Sequence, residues 1–233
     1  MLIYIEGNIG AGKTTFLSLL NKYMETIDTK LKCKSSLIYE PVNEWINTRD
    51  SDGKNILQKF YDDQPRWAFT FQMNSFISRV DKIMDKMSND YRDDNGEKMK
   101  HLLFVERSIY TDRYCFAENC YESGNMTKME YDIYCKWNEW LGKEFSVRPT
   151  MYIYLKANPN VCNERIIERS RSEENNIPLE YLKTLHDKHE TWLSRESDTI
   201  PIFTIDATQN LKDPVVMETV FNDLLNFLEK KTF

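Results

Sequence analysis

Three of the seven glycines in this chain, Gly7, Gly10 and Gly12, crowd into six positions, and a lysine and two threonines come directly after them. The run Gly7-Asn8-Ile9-Gly10-Ala11-Gly12-Lys13-Thr14, with Thr15 after it, fits the pattern GxxxxGK[ST]. Such a loop needs a strand before it and a helix after it. Residues 2–5 read Leu-Ile-Tyr-Ile, a strand-like run, and residues 13–24 carry helical spacing. Glycines let the backbone curl until successive N–H groups point inward at an anion. The helix after the loop adds its positive end. Lys13 brings a full charge to the β- and γ-phosphates, and the Thr14 hydroxyl is a ligand for Mg²⁺. The chain is therefore expected to bind a nucleoside triphosphate. The motif does not specify the reaction, because ATPases, GTPases, kinases and switches all use it.

Four more short apolar runs, at 36–39, 102–105, 151–155 and 202–205, join residues 2–5 as candidate strands. None alternates cleanly, which suits strands buried on both faces of a parallel sheet. Helical patterns lie between them at 13–24, 65–87, 110–121, 128–144, 160–171, 179–195 and 213–230. The alternation predicts a doubly wound α/β fold. The 233 residues show no repeat and no linker, so a single domain over 1–233 is expected, with 88–100 as a polar surface loop. A net charge of −6 argues against a general nucleic-acid binder. No apolar stretch reaches the roughly 18–20 residues that cross a membrane. With a strand expected from position 2, no leader is expected. Five cysteines without a CxxC pair read as reduced thiols, so a cytoplasmic protein is expected.

In an open parallel sheet ligands collect at the carboxyl ends of the strands. The second strand runs into Glu40-Pro41-Val42 and the third into Glu106-Arg107-Ser108. Glu40 is either a base that accepts a proton from an attacking hydroxyl or a solvated strand-end glutamate. Glu106 is a candidate for binding Mg²⁺ together with Thr14, and Arg107 for steadying the reacting oxygens. Their alternative is a surface ion pair worth under about 1 kcal/mol. Arg165 and Arg169 share a helix face at i, i+4, and Arg171 belongs to the turn beyond. They form either a solvated face or a lid over the phosphates, where one arginine is worth about 10³–10⁵ in rate.

Taken together these segments resemble the deoxynucleoside kinase family, in its deoxycytidine/deoxyguanosine kinase branch. The resemblance spans nearly the whole chain. It rests on residues 5–13, on Glu40-Pro41-Val42 with Trp45, and on Arg66-Trp67-Ala68-Phe69-Thr70-Phe71-Gln72. It continues through residues 106–114, Arg171-Ser172-Glu173-Glu174, residues 177–182 and residues 185–193.

The resemblance implies a P-loop kinase fold: a five-stranded parallel sheet of order 2-3-1-4-5, flanked by helices, with an arginine-rich lid at about 165–177. It implies ATP on residues 7–15 with Mg²⁺ held by Thr14 and Glu106, and a deoxynucleoside as the second substrate. Glu40 would take the 5′-hydroxyl proton, and Arg107 would hold that hydroxyl in line. Lys13, Arg165, Arg169 and Arg171 would neutralise the transferring phosphoryl group. Tyr61 and Glu174 would read the sugar 3′-hydroxyl. Gln72, Arg79 and Asp112 would meet the base edge, and Phe71 and Phe116 would sandwich it. Trp45 and Leu57 would complete the wall. Arg79 lies seven residues after Gln72, on the same helix face. An Arg79–Asp112 pair suits a base with an exocyclic amine, so thymidine is expected to be a poor substrate. Ser75, where deoxycytidine kinases of the family carry alanine, tilts the expectation to a purine deoxynucleoside, with a deoxycytidine preference as the alternative. Asn210-Leu211 departs from the Asp-Phe usual in the branch's donor-base loop. A homodimer and inhibition by the end-product triphosphate are also implied. Two other readings share the phosphate loop: a nucleoside monophosphate kinase, and a nucleotide-binding protein without catalysis.

Overall fold

Every side chain of the first strand, β1 (Leu2–Glu6), is buried, as a continuous apolar run requires when both sheet faces are covered. In the computed structural model, which describes residues 1–89, 91–93, 95–174 and 177–232, β1 is the centre of a five-stranded sheet. The others are β2 (Cys33–Ile38), β3 (Lys100–Glu106), β4 (Met151–Lys156) and β5 (Ile202–Asp206). All neighbours run parallel, in the order β2-β3-β1-β4-β5. This is the order that the resemblance implies.

The period of two along a strand divides the core into two layers. Ile3 and Ile5 of β1 face a layer with α1 (Lys13–Leu20), α2 (Met24–Leu31) and α11 (Pro214–Thr232). Leu2 and Tyr4 face the other layer, where α3 (Val42–Asn47), α4 (Ile56–Asp62), α5 (Gln64–Met87) and α8 (Lys128–Glu144) pack. Between β3 and α8 lie α6 (Ile109–Thr111), a π-type turn (Asp112–Ala117) and α7 (Glu118–Glu122). Beyond β4 come α9 (Pro159–Arg169) and α10 (Leu179–Glu196).

The differences from the sequence expectations have local causes. The helix expected over 13–24 is α1 and a 3₁₀ turn; α2 carries on from Met24 over residues with no expected helix and is closed by Lys32 in the left-handed region (φ 45). That turn starts β2 three residues early, at Cys33, and leaves Tyr39 beyond the strand. The edge strands β2 and β5 are only partly buried, since each lacks a neighbour on one side. The short helices α3 and α4 formed where none was expected, because six or seven residues show no period. Only the Asn55–Gln58 capping box announces α4. The helix expected over 110–121 carries the π-type turn. The helix expected to Arg171 ends at Arg169, and Ser170 (φ 51) turns the chain. The expected loop 88–100 includes Asp90 and Asp94, and the expected lid includes Asn175 and Asn176. These four lie outside the described residues. No helix of the described residues is long and apolar enough to cross a membrane.

Candidate active site

The carboxyl ends of β1, β2 and β3 open into a cavity of about 680 Å³. Of the residues given a site role from the sequence, only Gly7, Asn8 and Arg79 do not line it. Val42, Phe60, Glu168, Tyr181 and Lys212 line it without having been given a role. Val42 and Tyr181 stand in segments that carry the family resemblance, but no motif marks the other three. Glu168 is visible only as a neighbour of the arginines on its helix.

The donor wall is made of backbone. Gly7 (φ +145) and Gly10 (φ +77) admit no side chain: a Cβ would sit 2.7 Å from the Leu155 carbonyl oxygen and 2.3 Å from that of Cys162. The loop is thus pressed against β4 and α9. Asn8 faces away from the cavity and anchors the loop. Its Nδ2 donates to the Leu182 carbonyl at 2.8 Å and its Oδ1 accepts from the Ile9 amide at 2.9 Å. The first turn of α1 has no side-chain cap, so its N–H groups are free for an anion. Lys13 Nζ donates to the carbonyls of Gly7 (3.1 Å) and Asn8 (2.8 Å). Burial, and then the positive Arg107, push its pKa down to about 7. Thr14 Oγ1 donates to Glu106 Oε1 at 2.7 Å, which brings two hard oxygen donors together at the cavity edge. That donor set fits Mg²⁺.

The acceptor wall is a knot of charged side chains from different elements. Arg79 of α5 is buried, and all three nitrogens of its guanidinium are engaged. It donates to Asp112 Oδ2 (2.9 Å) and Oδ1 (3.1 Å), to the Glu106 carbonyl (2.7 Å) and to Glu40 Oε1 (3.1 Å). Arg79 therefore backs Asp112 and Glu40 and presents no free fork to the cavity. Arg107 Nε lies 3.3 Å from Glu40 Oε1, and its Nη1 donates to the Gly7 carbonyl at 2.9 Å. Arg107 adopts the left-handed region (φ 63), an uncommon state for a residue with a side chain. Burial raises the pKa of Glu40, but Arg107, Arg79 and Lys13 outweigh it and hold the carboxyl below its usual value. Glu40 is thus an ionised carboxylate at neutral pH, facing the cavity.

Phe71 stacks on Phe60 at 4.7 Å and meets the edge of Trp45 at 5.4 Å. The Trp45 indole donates to Ser78 Oγ at 3.0 Å. Phe116 lies 4.8 Å beneath the Arg107 guanidinium. Gln72 is buried on the cavity wall, and Ser75 Oγ donates weakly to Asp112 Oδ1 at 3.5 Å. Leu57 closes the wall beside Tyr61, whose phenol is pushed up by burial and by the Glu174 carboxylate.

The arginine segment divides. Arg165 is pinned by the carbonyls of Ala207 (2.7 Å) and Gln209 (3.2 Å), next to Asn210 and Leu211. Arg169 and Arg171 both donate to Glu174, the latter at 2.7 Å. A phosphate cradle, an ionised carboxylate and four arginines therefore share one cavity, as phosphoryl transfer to a hydroxyl requires.

The family model described as deoxynucleoside kinase matches residues 3–230. The chain is 37% identical to human deoxycytidine kinase over 91% of its own length and 85% of the relative's. It is 34% identical to the mitochondrial deoxyguanosine kinase of Xenopus laevis, over 95% of this chain and 82% of that one. A probable deoxycytidine kinase of fowlpox virus is 31% identical over 98% of this chain and 88% of its own. Sheet order, phosphate loop and these matches agree: the chain belongs to the deoxynucleoside kinase family and is a phosphotransferase.

Proposed function

We propose that this chain transfers the γ-phosphoryl group of ATP to the 5′-hydroxyl of a deoxynucleoside, as one kinase domain over 1–233 with 165–177 as its lid. The observation that carries this reading is Glu40, ionised between Arg79 and Arg107 on the wall facing the glycine loop. Glu40 accepts the 5′-proton, and Arg107 keeps that oxygen in line with the donor. Lys13, Arg165, Arg169 and Arg171 neutralise the spreading phosphoryl charge. General-base help is worth about 10²–10⁴ in rate, and the rest is positioning and electrostatics. Mg²⁺, held by Thr14 and Glu106, would supply further charge neutralisation at the donor phosphates.

Tyr61 and Glu174 read the sugar 3′-hydroxyl. The base lies between Phe71 and Phe116, with Gln72 and Asp112 at its edge. Asp112 is acceptor-only, so it suits an exocyclic amine and disfavours thymine. Ser75 beside Asp112 supports a purine deoxynucleoside. A deoxycytidine preference is the second reading, favoured by the deoxycytidine kinases at 36–38% identity. The solvent-exposed stripe Met129, Ile133, Trp137 and Trp140 on α8, with Ile77 on α5, supports a homodimer. The free cysteines suit a cytoplasmic site.

Initial rates with ATP·Mg²⁺ and each of the four deoxynucleosides, with Glu40→Gln as control, test the reading. A leading purine, trailing thymidine and at least a hundredfold loss in the control are expected. A leading deoxycytidine selects the second reading. A leading thymidine overturns the role of Asp112, and phosphorylation of monophosphates alone overturns the reaction.

A further inference from the structure

The strand that delivers the glycine loop ends on a carboxyl group with no role in this scheme. Glu6, the last residue of β1, is fully buried and does not line the cavity. Its Oε2 accepts from the Thr111 hydroxyl, and its Oε1 has no partner among the described residues. Burial pushes its pKa up to about 7, against the pull of the Ser108 and Thr111 hydroxyls. A carboxyl placed so far from water is costly and needs a reason.

Its surroundings supply one. Three successive residues at the end of β1 grip the turn after β3. The Ile5 carbonyl accepts from the Arg107 amide at 3.0 Å, and the Gly7 carbonyl accepts from Arg107 Nη1 at 2.9 Å. Between them Glu6 takes the Thr111 hydroxyl. Thr111 in turn donates its amide to Ser108 Oγ at 3.2 Å, the cap of the helix that starts beside Arg107. Arg107 sits at φ 63, a conformation that persists only where its neighbours over-determine it. The next residues along that helix are Asp112 and, one turn on, Phe116 of the acceptor wall. Glu6 is the only side chain in this three-point grip that comes from the donor strand.

We propose that Glu6 is a positioning residue for phosphoryl transfer: through Thr111 and the Ser108 cap it holds Arg107, and with it the acceptor wall, in register with the glycine loop. This rests on the role of Arg107 proposed above. Misplacing a reacting group by about 1 Å can cost about 10²-fold, so the effect belongs in the rate of transfer and not in substrate binding.

The test is the single-turnover rate with ATP·Mg²⁺ and the preferred deoxynucleoside, normalised to folded enzyme. Thr111→Val removes the hydroxyl at constant shape. It is expected to slow transfer by between about tenfold and 10²-fold while KM for both substrates stays within about threefold. Thr111→Ser and Glu6→Gln, which keep the hydrogen bond, are expected to retain the rate. Adding Glu6→Leu to Thr111→Val is expected to cost nothing further, because the pair acts as a unit. Losses that add, or a lowered Tm with an unchanged rate per folded molecule, would overturn the proposal. Arg107→Ala separates the two readings. If it leaves the rate intact, the role of Arg107 fails. If it abolishes transfer while Thr111→Val does not, only the positioning by Glu6 fails.

Discussion

The two walls of the cavity bind by different means. The donor wall is backbone: glycines, carbonyls and the uncapped start of α1, contributed by one continuous stretch of chain. The acceptor wall is side chain: Glu40, Arg79, Arg107 and Asp112 arrive from the segment after β2, from α5, from the turn after β3 and from the π-type turn, and satisfy one another. The backbone cradle has no room for a Cβ at Gly7 or Gly10. A charged knot tolerates backbone variation, but each member depends on the others. Buried charges are stable only as a set.

The largest expected effect breaks the acceptor wall at its reacting atom. Glu40→Gln keeps shape and hydrogen bonding and is expected to lower kcat by about 10²–10⁴, read by steady-state kinetics. A loss under tenfold would mean that Glu40 only places substrate. Next is the knot itself. Asp112→Ala leaves the buried Arg79 with Glu40 alone, a carboxylate it shares with Arg107, and is expected to cost about 3–5 kcal/mol in urea unfolding. Adding Arg79→Met should restore much of that loss, since an apolar pair of similar volume is often neutral. If the double variant is no better than the single, the wall is not held by mutual pairing.

On the donor side, Gly10→Ala strains a φ of +77 and drives a methyl against the Cys162 carbonyl. About 1–3 kcal/mol of stability and a raised KM for ATP are expected, with KM for the deoxynucleoside unchanged. A rise in both would show that the walls are not independent. The last effect lies behind the walls and is absent at neutral pH. His189 of α10 is buried, with Nδ1 2.6 Å from the Leu185 carbonyl, and burial pushes its pKa down to about 3 from 6.5. Between these values the unfolded chain binds a proton that the folded chain does not. Stability from His189 is therefore present above pH 6.5 and lost as pH falls towards 3, by about 1.4 kcal/mol per pH unit. His189→Gln should flatten that slope in urea unfolding measured from neutral to acid pH. An unchanged slope would assign the acid sensitivity elsewhere.

Legibility in the sequence divided along the same line. The phosphate loop was readable because all its parts are adjacent and only glycine fits its backbone. The three central strands were readable because burial on both faces leaves an apolar run. Glu40 and Arg107 were readable as strand-end residues, but the strand order, Arg79 and Asp112 came through resemblance to a family, since spacing alone does not bring position 40 beside 79, 107 and 112. Even then the direction of Arg79 was not legible. The pair with Asp112 was expected, but not that Glu40 and the Glu106 carbonyl take the rest of the guanidinium and turn it away from the cavity. Glu6 was visible as a letter in the motif and carried no signal of function, because its meaning lies in Thr111, which is 105 residues away.

The sequence by itself determined the doubly wound class and the phosphate cradle, both consequences of local geometry and of which residues tolerate burial. The tertiary structure alone decided the charge states and partners of the acceptor wall. Electrostatic energy depends on distance through space and on exclusion of water, and neither is a property of neighbours along the chain.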